Sequence, residues 1–261
     1  MGARRIIEAA GRERGGAELP LLCAPLVGRT REALLSEATA VIALRPDLVE
    51  WRVDFFEGIG RPAEVVALGR ELRALAGETA ILFTRRSTRE GGERIPIGEA
   101  EVVSLYAQVC RAGWCDYVDQ ELSSAPADMA AVREAARQAG VGLVASFHDF
   151  QRTPPAEVLF AKVSEARALG ADVAKVAVMP QRLEDVLTLL GATLRAHQEL
   201  RIPLITMSMG ALGSLSRLVG WVYGSAVTFG VGASSSAPGQ MPLEDLRAVN
   251  AVLRRWLGPG R

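Results

Sequence analysis

A (β/α)8 barrel, an α/β fold in a single domain, is predicted from three observations. Eight apolar, strand-like stretches are each followed by a helical pattern, the strands are hydrophobic with little alternation, and composition does not break along the chain. Strands buried on both faces and alternating with helices mean a parallel sheet. Eight such units in one chain of 261 residues fit a closed barrel better than an open doubly wound sheet, which is the alternative. No Gly-x-Gly-x-x-Gly follows the first strand and no Walker motif occurs, so nucleotide binding gains no support.

Residues 1–18, rich in Arg, Gly and Glu with little periodicity, read as a loosely ordered extension, and 19–261 as the barrel. The first strand is Leu21–Val27, followed by Gly28 and a helix that Thr30 can cap. Strand Leu48–Asp54 precedes a helix over 62–76, and strand Ala80–Arg86 precedes one from Ile97 to Arg111. The fourth and fifth units pair Tyr117–Leu122 with a helix over 127–139, and Gly142–His148 with one over 155–169. Ala171–Pro180 is the sixth strand, before a helix over 183–198. Pro203–Met209 leads to a short helix over 212–221, and Ala226–Gly230 to the last helix, Leu243–Trp256.

The totals exclude several classes. Thirty acidic residues balance 30 basic ones, leaving no net charge to attract nucleic acid or an anionic membrane. No apolar run is long enough to span a membrane and no signal-peptide pattern opens the chain. Cys23, Cys110 and Cys115 lack metal or redox spacing and read as core fillers. With only two histidines, His148 and His197, zinc is not expected. A reduced, cytoplasmic compartment is the expectation.

Of the 30 basic residues only Lys162 and Lys175 are lysines. Lys162 lies among Glu157 and Glu165 on a helix and reads as part of a solvated face. Lys175 sits mid-strand among Val, Ala and Met, where desolvation disfavours the ammonium and favours a nucleophilic amine. Such an amine attacks ketones and aldehydes to form a Schiff base. The plain alternative is a lysine that snorkels to solvent.

Barrel sites are built at the carboxyl ends of strands. Those ends collect Glu50, Arg52 and Asp54; Arg86 and Glu90; Asp119 and Glu121; His148 and Asp149; Lys175; Ser208; and Ser236 with Gln240. Spacing by two puts Glu50, Arg52 and Asp54 on one face of their strand, and likewise Asp119 and Glu121. His148 is the general acid/base candidate. Arg217, at the start of the helix after the seventh strand, would offer an anion both a guanidinium and backbone N–H groups. The small-residue loop Gly232–Gln240 reads as a connection or as a lid. From the residues alone the chemistry is that of a lyase or aldolase acting on a small, hydroxylated, anionic carbonyl compound.

Eight motifs then occur in order: Glu50-Trp-Arg-Val-Asp54, Phe83-Thr-Arg-Arg-Ser-Thr-Arg-Glu-Gly-Gly92, Tyr117-Val-Asp-Gln-Glu121, Ser146-Phe-His-Asp-Phe150, Lys175-Val-Ala-Val-Met-Pro180, Met207-Ser-Met209, Ser216-Arg217 and Ser236-Ala-Pro-Gly-Gln240. Over residues 20–257 the chain closely resembles the type I 3-dehydroquinate dehydratases of the shikimate pathway. The resemblance implies a barrel, commonly a homodimer, that dehydrates 3-dehydroquinate by syn elimination without metal or organic cofactor. It implies Lys175 as the Schiff-base residue, His148 as the proton-transfer group and Glu90 as the residue positioning that pair. Glu50, Arg52 and Arg86 are implied to hold substrate hydroxyls and the carboxylate region, Arg217 the carboxylate, and Ser236 and Gln240 to act from the lid. Asp119 is expected to support the site by hydrogen bonding.

The stretch before Leu19 matches that family loosely, and Met241-Pro-Leu243 is a local departure. No appended dinucleotide-binding domain is visible, which implies a monofunctional enzyme. A Schiff-base aldolase acting on a sugar phosphate is the rival, but it needs a Gly-rich phosphate element late in the barrel. A silent ligand-binding homologue should have lost the amine or the imidazole.

Overall fold

The computed structural model describes Ile7, residues 19–234 and residues 236–257. Over residues 19–257, among the described residues, eight strands alternate with eight helices. The strands are β1 (Leu21–Leu26), β2 (Leu48–Arg52), β3 (Ala80–Thr84), β4 (Tyr117–Glu121), β5 (Gly142–Asp149), β6 (Val173–Val178), β7 (Leu204–Ser208) and β8 (Val227–Phe229). The helices are α1 (Arg31–Ala43), α2 (Pro62–Ala76), α3 (Glu99–Ala112), α4 (Pro126–Ala139), α5 (Ala156–Ala168), α6 (Leu183–Leu200), α7 (Gly210–Val219) and α8 (Leu243–Leu257). All the strand pairings are parallel, in the order β7-β6-β5-β4-β3-β2-β1-β8. The remaining seam closes where Leu204 bridges Ser225 and the Ala226 amide donates to the Leu204 carbonyl at 2.6 Å. The fold is the expected (β/α)8 barrel.

Strand parity sorts the side chains into two layers. On β6, Val173 and Ala177 join an inner cluster with Cys23, Leu48, Leu82, Tyr117, Val144 and Ile205, while Ala174, Val176 and Val178 pack outward under the helices. This two-residue alternation puts every odd residue of β6, Lys175 included, on the barrel side. On β2 the outward Trp51 packs edge-on against Phe83 and Phe56, at centroid distances of 5.7 and 6.0 Å, and against Trp114 at 5.6 Å. Such contacts add about 0.5–1.5 kcal/mol each beyond area burial. By fixing β2 against β3 they hold Glu50 and Arg52 in the opposite, inward orientation.

The amino ends of the strands carry a repeated lock. Asp47, Asp116 and Asp172, just before β2, β4 and β6, each accept the backbone N–H of the preceding strand, from Leu22, Ile81 and Leu143, at 2.8 Å. Ser225 does the same before β8, its hydroxyl accepting from the Thr206 amide at 3.0 Å. The barrel floor is therefore built for stability, and the buried ionisable groups that the floor does not use lie at the other end.

Element ends differ from the sequence reading in places that matter. Strand β2 stops at Arg52, and Val53–Phe55 form a 3-10 turn, so Asp54 leaves the strand. Strand β3 stops at Thr84, which frees Arg85 and Arg86 to start the loop to α3. Thr30 caps α1 as expected, accepting from the Ala33 amide at 3.2 Å. The expected loose extension over residues 1–18 lies outside the described residues apart from Ile7, which is buried with its amide donating to the Tyr117 hydroxyl at 3.2 Å. Among the described residues no helix is long and apolar enough to cross a membrane.

Candidate active site

Lys175 is 4% exposed. Its Nζ donates to Glu50 Oε1 at 3.0 Å and to Asp119 Oδ2 at 3.1 Å, and it lies 4.7 Å from the centre of the Phe229 ring. The apolar surroundings inferred from its own strand are thus incomplete. Carboxylates from β2 and β4 reach it across the barrel, which a reading of β6 alone does not reveal. Thr84 donates to the same Glu50 oxygen at 3.0 Å, so that carboxylate is fixed from two sides.

Beside the amine lies a second buried cation, Arg86. Its guanidinium reaches Asp119 Oδ2 at 2.9 Å, Glu121 Oε1 at 3.1 Å and the Ser146 hydroxyl at 2.9 Å. Burial works against the charge, but the carboxylates of Asp119, Glu121, Glu50 and Glu90 outweigh it and raise the Arg86 pKa. Burial likewise pushes the Asp119 carboxyl up, while Arg86 and Lys175 together bring it below its ordinary value. Ser146 Oγ donates to Asp119 Oδ1 at 2.6 Å, completing its shell. The charges are paired rather than isolated, which is the condition for keeping them in a barrel interior.

His148 and Glu90 form the third unit. The histidine side chain is 7% exposed, and Nδ1 lies 2.8 Å from Glu90 Oε2, which also accepts the His148 amide at 3.0 Å. An ionised Glu90 requires the hydrogen on Nδ1 and leaves Nε2 as a free acceptor. Burial, with the charges of Arg86, Lys175 and Arg52, holds the imidazole well below its usual pKa, so it is neutral and available as a base. Burial and then the Glu121 charge push Glu90 up to about 7. Phe150 stacks 6.5 Å from His148 and packs on Gly91, whose φ of +83° suits glycine and where a Cβ would fall 2.5 Å from the ring.

The raised Glu90 pKa has a measurable consequence for stability. The folded state disfavours the ionised carboxylate, so its contribution is intact below the ordinary value of 4.5 and is lost as pH rises through about 7. Glu90→Gln is expected to match the native protein in unfolding free energy below pH 4.5. Above pH 7 it is expected to gain stability on the order of 3 kcal/mol at most. Urea unfolding of both proteins at several pH values checks this. A constant difference across pH would contradict it.

The mouth is closed by the loop after β8. Arg52 is held by Asp54 through Nε–Oδ1 and Nη2–Oδ2 contacts of 2.9 and 2.8 Å, and its third nitrogen, Nη1, approaches the Ser236 carbonyl at 3.5 Å. Gln240 Oε1 accepts the Ser236 amide at 2.9 Å. Gly239, with φ +76°, approaches Gly210 so closely that a Cβ would lie 2.2 Å from its carbonyl oxygen. This seats the Pro238 carbonyl on the N-terminus of α7, where the Gly210 amide donates to it at 3.1 Å and Arg217 Nη2 at 3.2 Å.

Glu50, Arg52, Arg86, Glu90, His148, Lys175, Ser236 and Gln240 line one cavity, walled by Phe150, Met207, Met209 and Phe229. Asp119 lies fully buried beneath it. Two expectations need correction. Asp54 is not on the strand face of Glu50 and Arg52; it braces Arg52 from the 3-10 turn and accepts the Arg86 and Glu93 amides. Arg217 is in the last turn of α7, because that helix starts at Gly210 directly after β7. Its guanidinium lies behind the lining, donating also to the Phe229 carbonyl at 3.3 Å, and burial alone lowers its pKa to about 10. The pairing of a guanidinium with a helix N–H does occur, with Pro238 O at its focus. The sequence reading missed Ser123 and the tie from Ser146 to Asp119. Ser146 was detectable from parity, since it stands two residues before His148 on the same strand.

Fold and site together define a (β/α)8 barrel whose strand ends gather a buried amine, its carboxylate partners and a histidine–carboxylate pair in one cavity. The family described as type I 3-dehydroquinase matches residues 22–255, and the chain belongs to that family. A 3-dehydroquinate dehydratase of Aromatoleum aromaticum is 53% identical over 98% of this chain and 99% of its own. The crystal structure of 3-dehydroquinate dehydratase from Geobacillus kaustophilus is 51% identical, with a TM-score of 0.90 over 91% of this chain and 92% of that one. The type I enzyme of Clostridium difficile, at 37% identity and a TM-score of 0.88, covers 92% of this chain and 95% of its own.

Proposed function

We propose that the chain dehydrates 3-dehydroquinate to 3-dehydroshikimate by syn elimination through an iminium at Lys175. The observation that carries this reading is the buried Lys175 amine, held by Glu50 and Asp119 in the same cavity as the His148–Glu90 pair. In its neutral form the amine adds to the substrate ketone, water departs, and the iminium withdraws electrons from the adjacent carbon. His148 Nε2 takes the proton from that carbon, and the resulting enamine expels the β-hydroxyl. The imidazolium returns its proton to the leaving oxygen, so one water molecule is released and the histidine is reset. Hydrolysis of the conjugated iminium frees product and amine.

Glu50 and Asp119 orient the amine, and Arg86 holds Asp119. Arg52, Ser236 and Gln240 suit the hydroxyls, and Arg217 with the Gly210 amide suits the carboxylate once Pro238 O gives way. The structure of the C. difficile relative is described as carrying covalently modified comenic acid, which supports a reading with covalent chemistry. With the function go the family's expected homodimer, a cytoplasmic location and a place in the shikimate pathway. The test is the ultraviolet absorbance of the conjugated ketone when purified protein meets 3-dehydroquinate. Its steady growth is the expected result. Absence of product with folded protein would sink the reading, as would cleavage of a carbon–carbon bond instead.

A further inference from the structure

Glu90 is held at both ends. Oε2 accepts the amide and Nδ1 of His148, and Oε1 accepts the hydroxyl of Ser123 at 2.6 Å. Ser123 comes from the turn after β4. That turn is fixed by the Leu122 amide on the Ser146 carbonyl at 2.7 Å and the Ser124 amide on the Glu121 carbonyl at 3.0 Å. Glu121, the last residue of β4, points into the barrel to Arg86, and the turn that follows carries Ser123 to Glu90. We propose that Ser123 is a positioning residue for proton transfer, its hydroxyl holding Glu90 in the orientation and ionised form that keep the hydrogen on His148 Nδ1 and leave Nε2 free.

The argument is one of hydrogen-bond complementarity. A carboxylate has lone pairs for several donors, and the three donors here all favour the ionised form. If Glu90 takes up a proton, it can donate to Nδ1, which places the imidazole hydrogen on Nε2 and removes the base from the cavity. Arg86, 4.0 Å away on the same loop, favours ionisation, while Glu121 and Asp119 of β4 oppose it. On the β5 side the facing group is His148, itself under the charges of Arg86, Lys175 and Arg52. Glu121, at the end of β4, and Ser123, in the turn after it, therefore act on Glu90 in opposite senses. Losing the hydroxyl tips the balance towards the protonated acid. The assignment rests on the proposed role of His148 as base, but its geometry can be tested without turnover.

The chain has only two histidines, so ring nitrogen resonances of the ¹⁵N-histidine-labelled protein resolve His148 once a His197→Asn sample removes the other. In the ligand-free native protein, the Nδ1–H form of His148 is expected to be lost as Glu90 is protonated. In Ser123→Ala the midpoint of that change is expected to rise by about half a unit or more. The acidic limb of kcat/KM is expected to rise with it, a roughly threefold loss on that limb with KM little changed. Ser123→Thr, which keeps the hydroxyl, is expected to restore both. Unshifted midpoints in Ser123→Ala, or Ser123→Thr behaving like Ser123→Ala, would overturn the proposal. Absence of dehydratase activity in the native protein would instead bear on the proposed function, and the ligand-free titration would still decide this one.

Discussion

Lys175→Arg is expected to lose at least about 10⁴-fold in kcat while the protein stays folded. A guanidinium keeps the positive charge that Glu50 and Asp119 require, at 3.0 and 3.1 Å, but it cannot add to a ketone. Lys175→Ala is expected to lose the same activity and to unfold more easily as well. It leaves Glu50 and Asp119 without their shared partner, and breaking a buried pair costs about 3–5 kcal/mol. Asp119 keeps Arg86 and Ser146, so the stability loss should fall at the lower end. Thermal unfolding beside steady-state kinetics separates the two effects. Full activity in Lys175→Arg would remove the amine from the chemistry.

His148→Ala is expected to lower kcat by about 10²–10⁴-fold, the usual worth of a positioned general acid/base, yet to keep forming the covalent intermediate. The hydrogen bonds of the amine run to Glu50 and Asp119 and those of His148 to Glu90, and in the proposed mechanism the imidazole acts only on the proton and the leaving oxygen. The variant should therefore accumulate iminium, visible as more adduct after borohydride reduction at short times. Its stability is expected to fall by about 1–3 kcal/mol, because the buried imidazole is the partner of the Glu90 carboxylate, and thermal unfolding checks that the variant stays folded. A variant that neither turns over nor forms adduct would show that His148 helps build the iminium, contrary to the role assigned here.

What sequence alone reveals divides along physical lines. The barrel was legible because doubly buried parallel strands are continuously apolar, and because parity within a strand is local information: Lys175 inward follows from Val173 and Ala177. The cavity-lining set was legible because barrel chemistry collects at strand ends and the motifs mark them. Contacts across the barrel were not. The pairing of Glu50 with Lys175 joins residues on β2 and β6, and the tie from Ser123 to Glu90 joins two loops. Neither follows from spacing along the chain. Asp54 was misplaced because alternation was extended past Arg52, where a 3-10 turn takes over. Arg217 was misplaced because Gly210 starts its helix immediately after β7, and glycine gave no helix signal.

The central claim is that the Lys175 amine becomes bonded to the ligand carbon. Intact mass after mixing the purified protein with 3-dehydroquinate and sodium borohydride tests it most directly, with Lys175→Arg treated alongside. The account predicts a native adduct of one substrate or product, less water and plus two hydrogens, that maps to Lys175 and is absent from the variant. A native protein that binds and turns over the ligand without adduct, or a variant that still carries one, would contradict it.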